Sequence, residues 1–357
     1  MEEIRVKQEE KWNNFTAGGV NALRIEGQAV NGKRLPLGAS VPLQTPYAIT
    51  VFPIYACNFR CSYCVHSLRE DEHPKVCTEK VMDFSLYQKF IDDLAEFPVP
   101  LKVLHFAGLG EPLLHPRIAD MVRYAKEKNV AQTVDIVSNG ALLKDGLEDD
   151  LVRAGLDKIR ISLQGLTSRM YKDMSDVEID FPAFRERLRD LYKKRGDMKI
   201  YIKIMDVSLK EYSAEAFYEA FQEMADAVAV EHLCPLVDEI SYEENFEEEE
   251  FIYTMNGNRV RNAKVCPQPF YSLQVNPDSD LLPCCTIEKP IVIGNCKKDS
   301  VLDIWNGETL QTFRKMQLEK KKDKNPVCRK CMQYKYGMFP EDYLDDDAEQ
   351  ILLRCFG

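Results

Sequence analysis

The chain has 357 residues, enough for two domains or for one large domain with an appendage. Hydrophobic residues make up 45% and charged residues 29%, so a sizeable core is available and wholesale disorder is excluded. The net charge of −11 argues against a general phosphate-backbone binder, and no nucleic-acid partner is expected, although a few local Lys or Arg residues would suffice to meet a small anionic substrate.

The N-terminal MEEIRVKQEEKW is charged and lacks the apolar stretch of a secretory signal. No run of about 18 apolar residues occurs, so no membrane partner is expected and the expected location is cytoplasmic. Thiols stay reduced in that compartment. Twelve cysteines there call for metal or cluster ligation rather than disulfides.

In chain order, residues 1–45 combine a short amphipathic helical pattern with a Gly/Pro-punctuated loop and read as a lead-in without chemistry. Six β-rich runs follow, at 48–54, 102–108, 132–140, 158–165, 199–206 and 227–233. Between them, apolar residues at three- and four-residue spacing mark helices, as in 85–97, 116–128 and 182–194. Alternating strands and helices predict an α/β fold with a parallel sheet over 46–236. Six repeats suit a partial (β/α)6 TIM-like barrel as well as an open doubly wound sheet, and the pattern alone does not separate them. Residues 237–262, with the run DEISYEENFEEEE, read as an acidic linker. Residues 263–340 are Cys- and Pro-rich and loop-rich, so this segment needs a staple. Residues 341–357 read as an acidic tail with one short helix.

The segment CNFRCSYC places Cys57, Cys61 and Cys64 directly after the first of the six strands. In parallel α/β folds, reactive groups collect beyond the C-terminal ends of the strands. Three thiolates at C-x3-C-x2-C spacing wrap one face of a [4Fe–4S] cube and leave one iron open. An open iron binds a substrate or cofactor, as a catalytic zinc does. A zinc site with His66 as a further ligand is the alternative.

C-x3-C-x2-C with Tyr63 before the last cysteine, following strand one of a βα series, resembles the radical S-adenosylmethionine (SAM) superfamily. The resemblance implies that SAM chelates the open iron and is cleaved reductively to a 5′-deoxyadenosyl radical. It also implies a flavodoxin- or ferredoxin-type electron donor. Further positions match in order. Gly108-Leu109-Gly110-Glu111-Pro112 is similar to the family's Gly-Gly-Glu-Pro segment near the methionyl group, with Leu109 inserted. Ser138-Asn139-Gly140 ends strand three, where the family approaches the ribose, and Ser162 and Gln164 occupy the polar cofactor-contact positions of strand four. The resemblance covers about residues 47–235.

Beyond the linker, the CxxC of Cys328 and Cys331 is a two-point chelate, and Cys266 and Cys284 flank a hairpin-like segment. On ligand type alone, zinc remains a rival to iron–sulfur. The segment resembles the family's C-terminal SPASM extension or its shorter form, twitch. No further cysteine closely follows the CxxC, so the short form is expected: one auxiliary [4Fe–4S] cluster on Cys266, Cys284, Cys328 and Cys331, with Cys285 able to replace Cys284. Cys77, Cys234, Cys285, Cys296 and Cys355 read as small buried hydrophobes.

Strand alternation turns Arg160, Ser162 and Gln164 inward, and likewise Lys203 beside Tyr201 and Met205; His105 and Glu231 are inward candidates on other strands. Arg160, Lys203 and Glu231 are the candidate catalytic set, gripping substrate or taking a proton. An internal ion-pair layer is the alternative. The layout resembles the aminocyclitol dehydrogenase type. That implies an oxidoreductase for a small hydroxylated substrate (a sugar, aminocyclitol or nucleotide-linked sugar) whose auxiliary cluster accepts an electron. A peptide-modifying maturase is the second reading, and an iron–sulfur electron-transfer module the third.

Overall fold

A computed structural model describes residues 22–26, 34–74, 76–209, 212–242 and 251–357. The amphipathic pattern near the N-terminus and most of the acidic run lie outside the described residues. Among the described residues, ten strands form one sheet: β1 Leu23–Glu26, β2 Ala48–Val51, β3 Leu101–Phe106, β4 Ala131–Ser138, β5 Lys158–Leu163, β6 Lys199–Met205, β7 Ala227–Glu231, β8 Ser272–Val275, β9 Asp280–Leu282 and β10 Gly294–Asn295. Their spatial order is β1-β7-β6-β5-β4-β3-β2-β8-β9-β10.

Strands β2 to β7 are parallel and lie in sequence order. A doubly wound sheet reverses its order at a switch point; this one does not. Right-handed crossovers in one direction put every connecting helix on one face and leave the other face as a lumen. The sheet is a partial barrel, and the open-sheet alternative falls.

The outward residues Ile49, Val51, Leu104, Phe106, Val134, Ile136, Ile159, Ile161, Ile202 and Ile204 are buried under the helices. Each such burial contributes about 1.5–3 kcal/mol. The helices begin where the sequence supplies caps. Asp83 accepts from the N–H groups of Ser85 and Leu86 to start Phe84–Leu94, and Asp180 accepts from Ala183 N to start Phe181–Lys194. In the first of these, Tyr87, Phe90, Ile91 and Leu94 recur at helical spacing and form its buried face.

Two features depart from the sequence reading. Within the expected lead-in, β1 pairs in parallel with β7, and Ile25 packs on Tyr201, Ala227 and Ala229 on the luminal face. The Cys-rich segment also joins the sheet. Its strand β8 pairs in parallel with β2, Ala48 opposite Ser272 and Val51 opposite Val275. The β8–β9 hairpin is the one legible in YSLQVNPDSDLL, and it closes through Ser279 at φ 69°. A smaller core, including Leu37, Val41, Phe270, Leu318, Leu344 and Ile351, seats the C-terminal helix Ala348–Phe356 on Glu308–Leu318. Among the described residues, no helix is long and apolar enough to cross a membrane.

Candidate cluster and cofactor site

Strand β2 leads into the loop that carries Cys57, Cys61 and Cys64. Backbone bonds pin this loop to the end of the helix Ser168–Ser175: Arg60 N donates to Ser175 O at 2.9 Å and Ser62 N to Met174 O at 2.8 Å. Phe59, buried between the thiols, packs edge-on against Tyr171. Burial pushes the Cys57 thiol up to about 11 and raises Cys61 and Cys64 too; the charge of Cys64 adds to the rise at Cys57, and those of Cys64 and Cys57 to the rise at Cys61. Three desolvated thiols that cannot ionise together suit a cationic group that displaces their protons. His66 packs against His73 and Tyr55, with ring centroids 5.5 and 6.1 Å away. Among the described residues, no three His, Cys, Asp or Glu side chains meet closely enough to share one metal ion.

The exit of β3 leans directly on this loop. Gly110 has no room for a side chain, since a Cβ would stand 2.1 Å from the Ile54 carbonyl oxygen. Gly108 sits at φ 112°, and its Cβ would enter the Phe52 ring. Glu111 N donates to Ala56 O at 2.8 Å, one residue before Cys57. The Glu111 side chain is 2% exposed and fully engaged. Oε1 accepts from Ser138 Oγ at 2.8 Å and Leu113 N at 3.0 Å, and Oε2 accepts from Asn139 N at 2.7 Å. Burial raises its carboxyl to about 6 against the pull of these donors. Asn139 Nδ2 donates to Asn58 Oδ1 at 2.8 Å and stands 4.0 Å from Cys57 Sγ. Tyr63 donates to Gln164 Oε1 at 2.6 Å, tying the loop to the end of β5. Ser162 lies on β5 beside Lys203 of β6. The structure thus gathers Tyr63, Gly108, Gly110, Glu111, Ser138, Asn139, Ser162 and Gln164 at the ends of β3, β4 and β5. Glu111 serves as a brace between strand ends, its carboxylate turned to protein partners.

The lumen below holds two ion-paired groups. Arg160 meets Asp135 Oδ2 at 2.9 Å through Nε and 2.7 Å through the guanidinium end, and His105 Nδ1 bonds the other carboxylate oxygen. Burial alone would raise the Asp135 carboxyl; Arg160 and His105 overcome it and hold the group well below the usual carboxylate range. On β6 and β7, Glu231 bonds Lys203 Nζ at 2.6 Å and the Tyr201 hydroxyl at 2.9 Å. The sequence reading named Arg160, Lys203, Glu231 and His105 but missed Asp135. A lone carboxylate inside the apolar run of QTVDIVSNG was the available signal.

The second set lines a cavity of about 400 Å³ whose wall includes Cys266, Cys284, Cys328 and Cys331. Cys284 interacts electrostatically with Cys266, Cys331 and Cys328; Cys285 lines the same cavity, interacts with Cys331 and lies beside the Thr50 side chain of β2. Burial raises all four thiols of the cavity set, Cys328 to about 11. Asn325 caps the short helix Pro326–Lys330, accepting from Val327 N and Cys328 N at 3.0 Å each, and so aims the CxxC. Lys322, buried in the wall, donates to Ala263 O at 3.0 Å and to the Tyr334 hydroxyl. Next to this cavity is a cleft of about 380 Å³, lined by Leu236–Glu239 beyond β7 and sharing Thr286, Val327, Cys331 and Gln333 with it. Of the remaining cysteines, Cys234 and Cys296 are buried as expected, while Cys77, Cys285 and Cys355 are only half-buried.

The structure is thus a parallel partial barrel with three thiols at its strand ends and four more lining a cavity beside the β8–β9 hairpin. The Radical SAM superfamily model matches residues 51–224, and the SPASM iron–sulfur cluster-binding domain model matches 266–332. The chain belongs to the radical SAM superfamily, in the subgroup with a SPASM domain. Its barrel domain binds a [4Fe–4S] cluster and SAM, and its C-terminal domain binds auxiliary iron–sulfur.

The chain is 28% identical over 302 residues, 72% of its length and 80% of the other's, to a tungsten-containing aldehyde ferredoxin oxidoreductase cofactor-modifying protein of Pyrococcus furiosus. A GTP 3′,8-cyclase of Chlorobaculum tepidum is 41% identical over 120 residues, and the chain spans about a third of that relative's length. Among solved structures, BtrN in complex with AdoMet and 2-DOIA matches 80% of this chain and 92% of its own, with TM-score 0.52 and 19% identity. Native anSMEcpe with bound AdoMet matches 87% and 96%, with TM-score 0.56 and 17% identity. At these identities the structures speak for the fold.

Proposed function

We propose that Cys57, Cys61 and Cys64 hold the SAM-binding cluster, that Cys266, Cys284, Cys328 and Cys331 hold a single auxiliary [4Fe–4S] cluster, and that the enzyme oxidises a small hydroxylated substrate. A sugar, aminocyclitol or nucleotide-linked sugar is the class. A flavodoxin- or ferredoxin-type protein supplies the reducing electron. The observation that carries this reading is the cleft beyond β7, which shares a wall with the four-thiol cavity and begins five residues after Glu231. A substrate that reaches from Lys203 and Glu231 in the lumen toward this cleft lies between the barrel rim and an electron acceptor whose ligand positions are all filled by protein.

When bound, SAM supplies the radical that removes a hydrogen atom from a substrate carbon. The chain's own residues do the rest. Gly108 and Gly110 let backbone carbonyls come close to the methionyl group, and Glu111 fixes their position through Ser138 and Asn139. Tyr63 and Gln164 close the loop over the strand ends and exclude water. Lys203 and Glu231 grip the hydroxyl, and Glu231 takes up its proton. Arg160, already paired with Asp135, orients the luminal wall.

The test separates the two clusters. Cys57→Ala is expected to abolish 5′-deoxyadenosine formation. Cys328→Ala is expected to leave 5′-deoxyadenosine formation in place and to stop net substrate oxidation. Intact oxidation in Cys328→Ala rules out the acceptor role.

A further inference from the structure

Gln317 lies on the helix Glu308–Leu318, is fully buried and lines the four-thiol cavity. Both ends of its amide meet candidate cluster cysteines. Oε1 accepts from Cys266 N at 3.3 Å, and Nε2 donates toward Cys328 Sγ at 3.8 Å. Cys266 comes from the segment before β8 and Cys328 from the helix Pro326–Lys330. One side chain therefore joins two of the three segments that bring thiols to the cavity.

We propose that Gln317 is a positioning residue that sets the spacing of these two cysteines and raises the reduction potential of the auxiliary cluster through an N–H···S hydrogen bond. The proposal rests on the reading of this cavity as the auxiliary-cluster site. A hydrogen bond donated to a ligand sulfur stabilises the more negatively charged, reduced state of a cluster. A cluster that must take an electron from a substrate radical gains driving force from that donor. The counterpart at the barrel site, Asn139, bonds Asn58 at 2.8 Å and stands farther from its thiol, at 4.0 Å.

The experiment is an EPR-monitored redox titration of the full-length chain carrying Cys57→Ala, Cys61→Ala and Cys64→Ala, so that only the auxiliary cluster contributes. Gln317→Leu removes the amide; Gln317→Glu keeps its shape but, ionised, has no N–H. Each is expected to lower the reduced-to-oxidised ratio at fixed poise by about tenfold, which is ~59 mV for one electron. An unchanged midpoint overturns the proposal, even if activity falls. Should neither variant take up iron, pulsed EPR of the parent with 15N confined to glutamine side-chain amides is expected to show a coupled nitrogen; its absence overturns the proposal. Failure of the underlying reading gives a different result, because the parent chain itself then takes up no iron.

Discussion

Glu111 illustrates how a motif residue acts at the scale of one side chain. Its two oxygens accept three hydrogen bonds from two segments, and its environment is desolvated. Glu111→Gln places an N–H donor among donors and leaves one or more without an acceptor, a loss of about 1–3 kcal/mol. The pH signature has a definite sign. A carboxyl raised from 4.5 to about 6 in the folded chain makes its full contribution below 4.5 and loses it as pH rises to about 6. Denaturant titrations across that window are expected to show wild type losing ~2 kcal/mol that Glu111→Gln does not lose. Asp135 behaves in the opposite sense. Its depressed carboxyl keeps its contribution at neutral pH, and this is lost only in acid, as pH falls below the ordinary carboxylate value toward the folded one. Asp135→Asn strands the buried Arg160 charge and is expected to cost about 3–5 kcal/mol in the same titrations. The adjacent cysteines give a cleaner comparison. Cys284→Ala is expected to lose the auxiliary iron, about half of the roughly eight irons per chain, while Cys285→Ala retains it. The sequence left open which of the two serves; in the fold both line the cavity, but Cys284 interacts with three of the other thiols and Cys285 with Thr50 and Cys331.

At the scale of elements, the legible part of the fold is the part governed by local rules. Six β-rich runs marked β2 to β7, and apolar residues at three- and four-residue spacing marked the helices between them. The strands β1 and β8 were illegible as members of this sheet for one physical reason. Each is four residues long and finds its partner at great sequence distance, so neither alternation nor a turn signal reports the pairing. The residues that the resemblance assigned to cofactor contact could be picked out in the sequence because they follow the strands in fixed order, and the structure gathers them at strand ends. The function of Gly110 is a matter of two elements touching, β3's exit against β2's. Gly110→Ala forces a Cβ against the Ile54 carbonyl, a backbone atom that cannot move aside cheaply. The expected outcome is loss of the barrel cluster with retention of the auxiliary one, read as a halved iron content and no 5′-deoxyadenosine.

On the scale of the whole molecule, one sheet runs through both cluster-bearing segments. Strand β2 is a central strand only because β8 covers its outer edge; without the C-terminal segment it would present unpaired N–H and C=O groups to solvent. A chain cut after Asn262 is therefore expected to aggregate and to lose the barrel cluster too, measured by light scattering and iron analysis. A soluble truncated barrel with an intact cluster would show that the two segments fold independently.

The β2–β8 seam also bears on how the enzyme dies in air. On the proposed ligand set, oxidative stripping of iron from the four-thiol cavity frees Cys266 and Cys284, which bracket the β8–β9 hairpin. A loosened β8 relaxes its grip on β2, whose exit loop carries the other three thiols. Loss of the auxiliary cluster is then expected to loosen the barrel rim as well, so the two sites do not fail independently. Reloading the chain with iron and sulfide must restore the seam before it can restore activity.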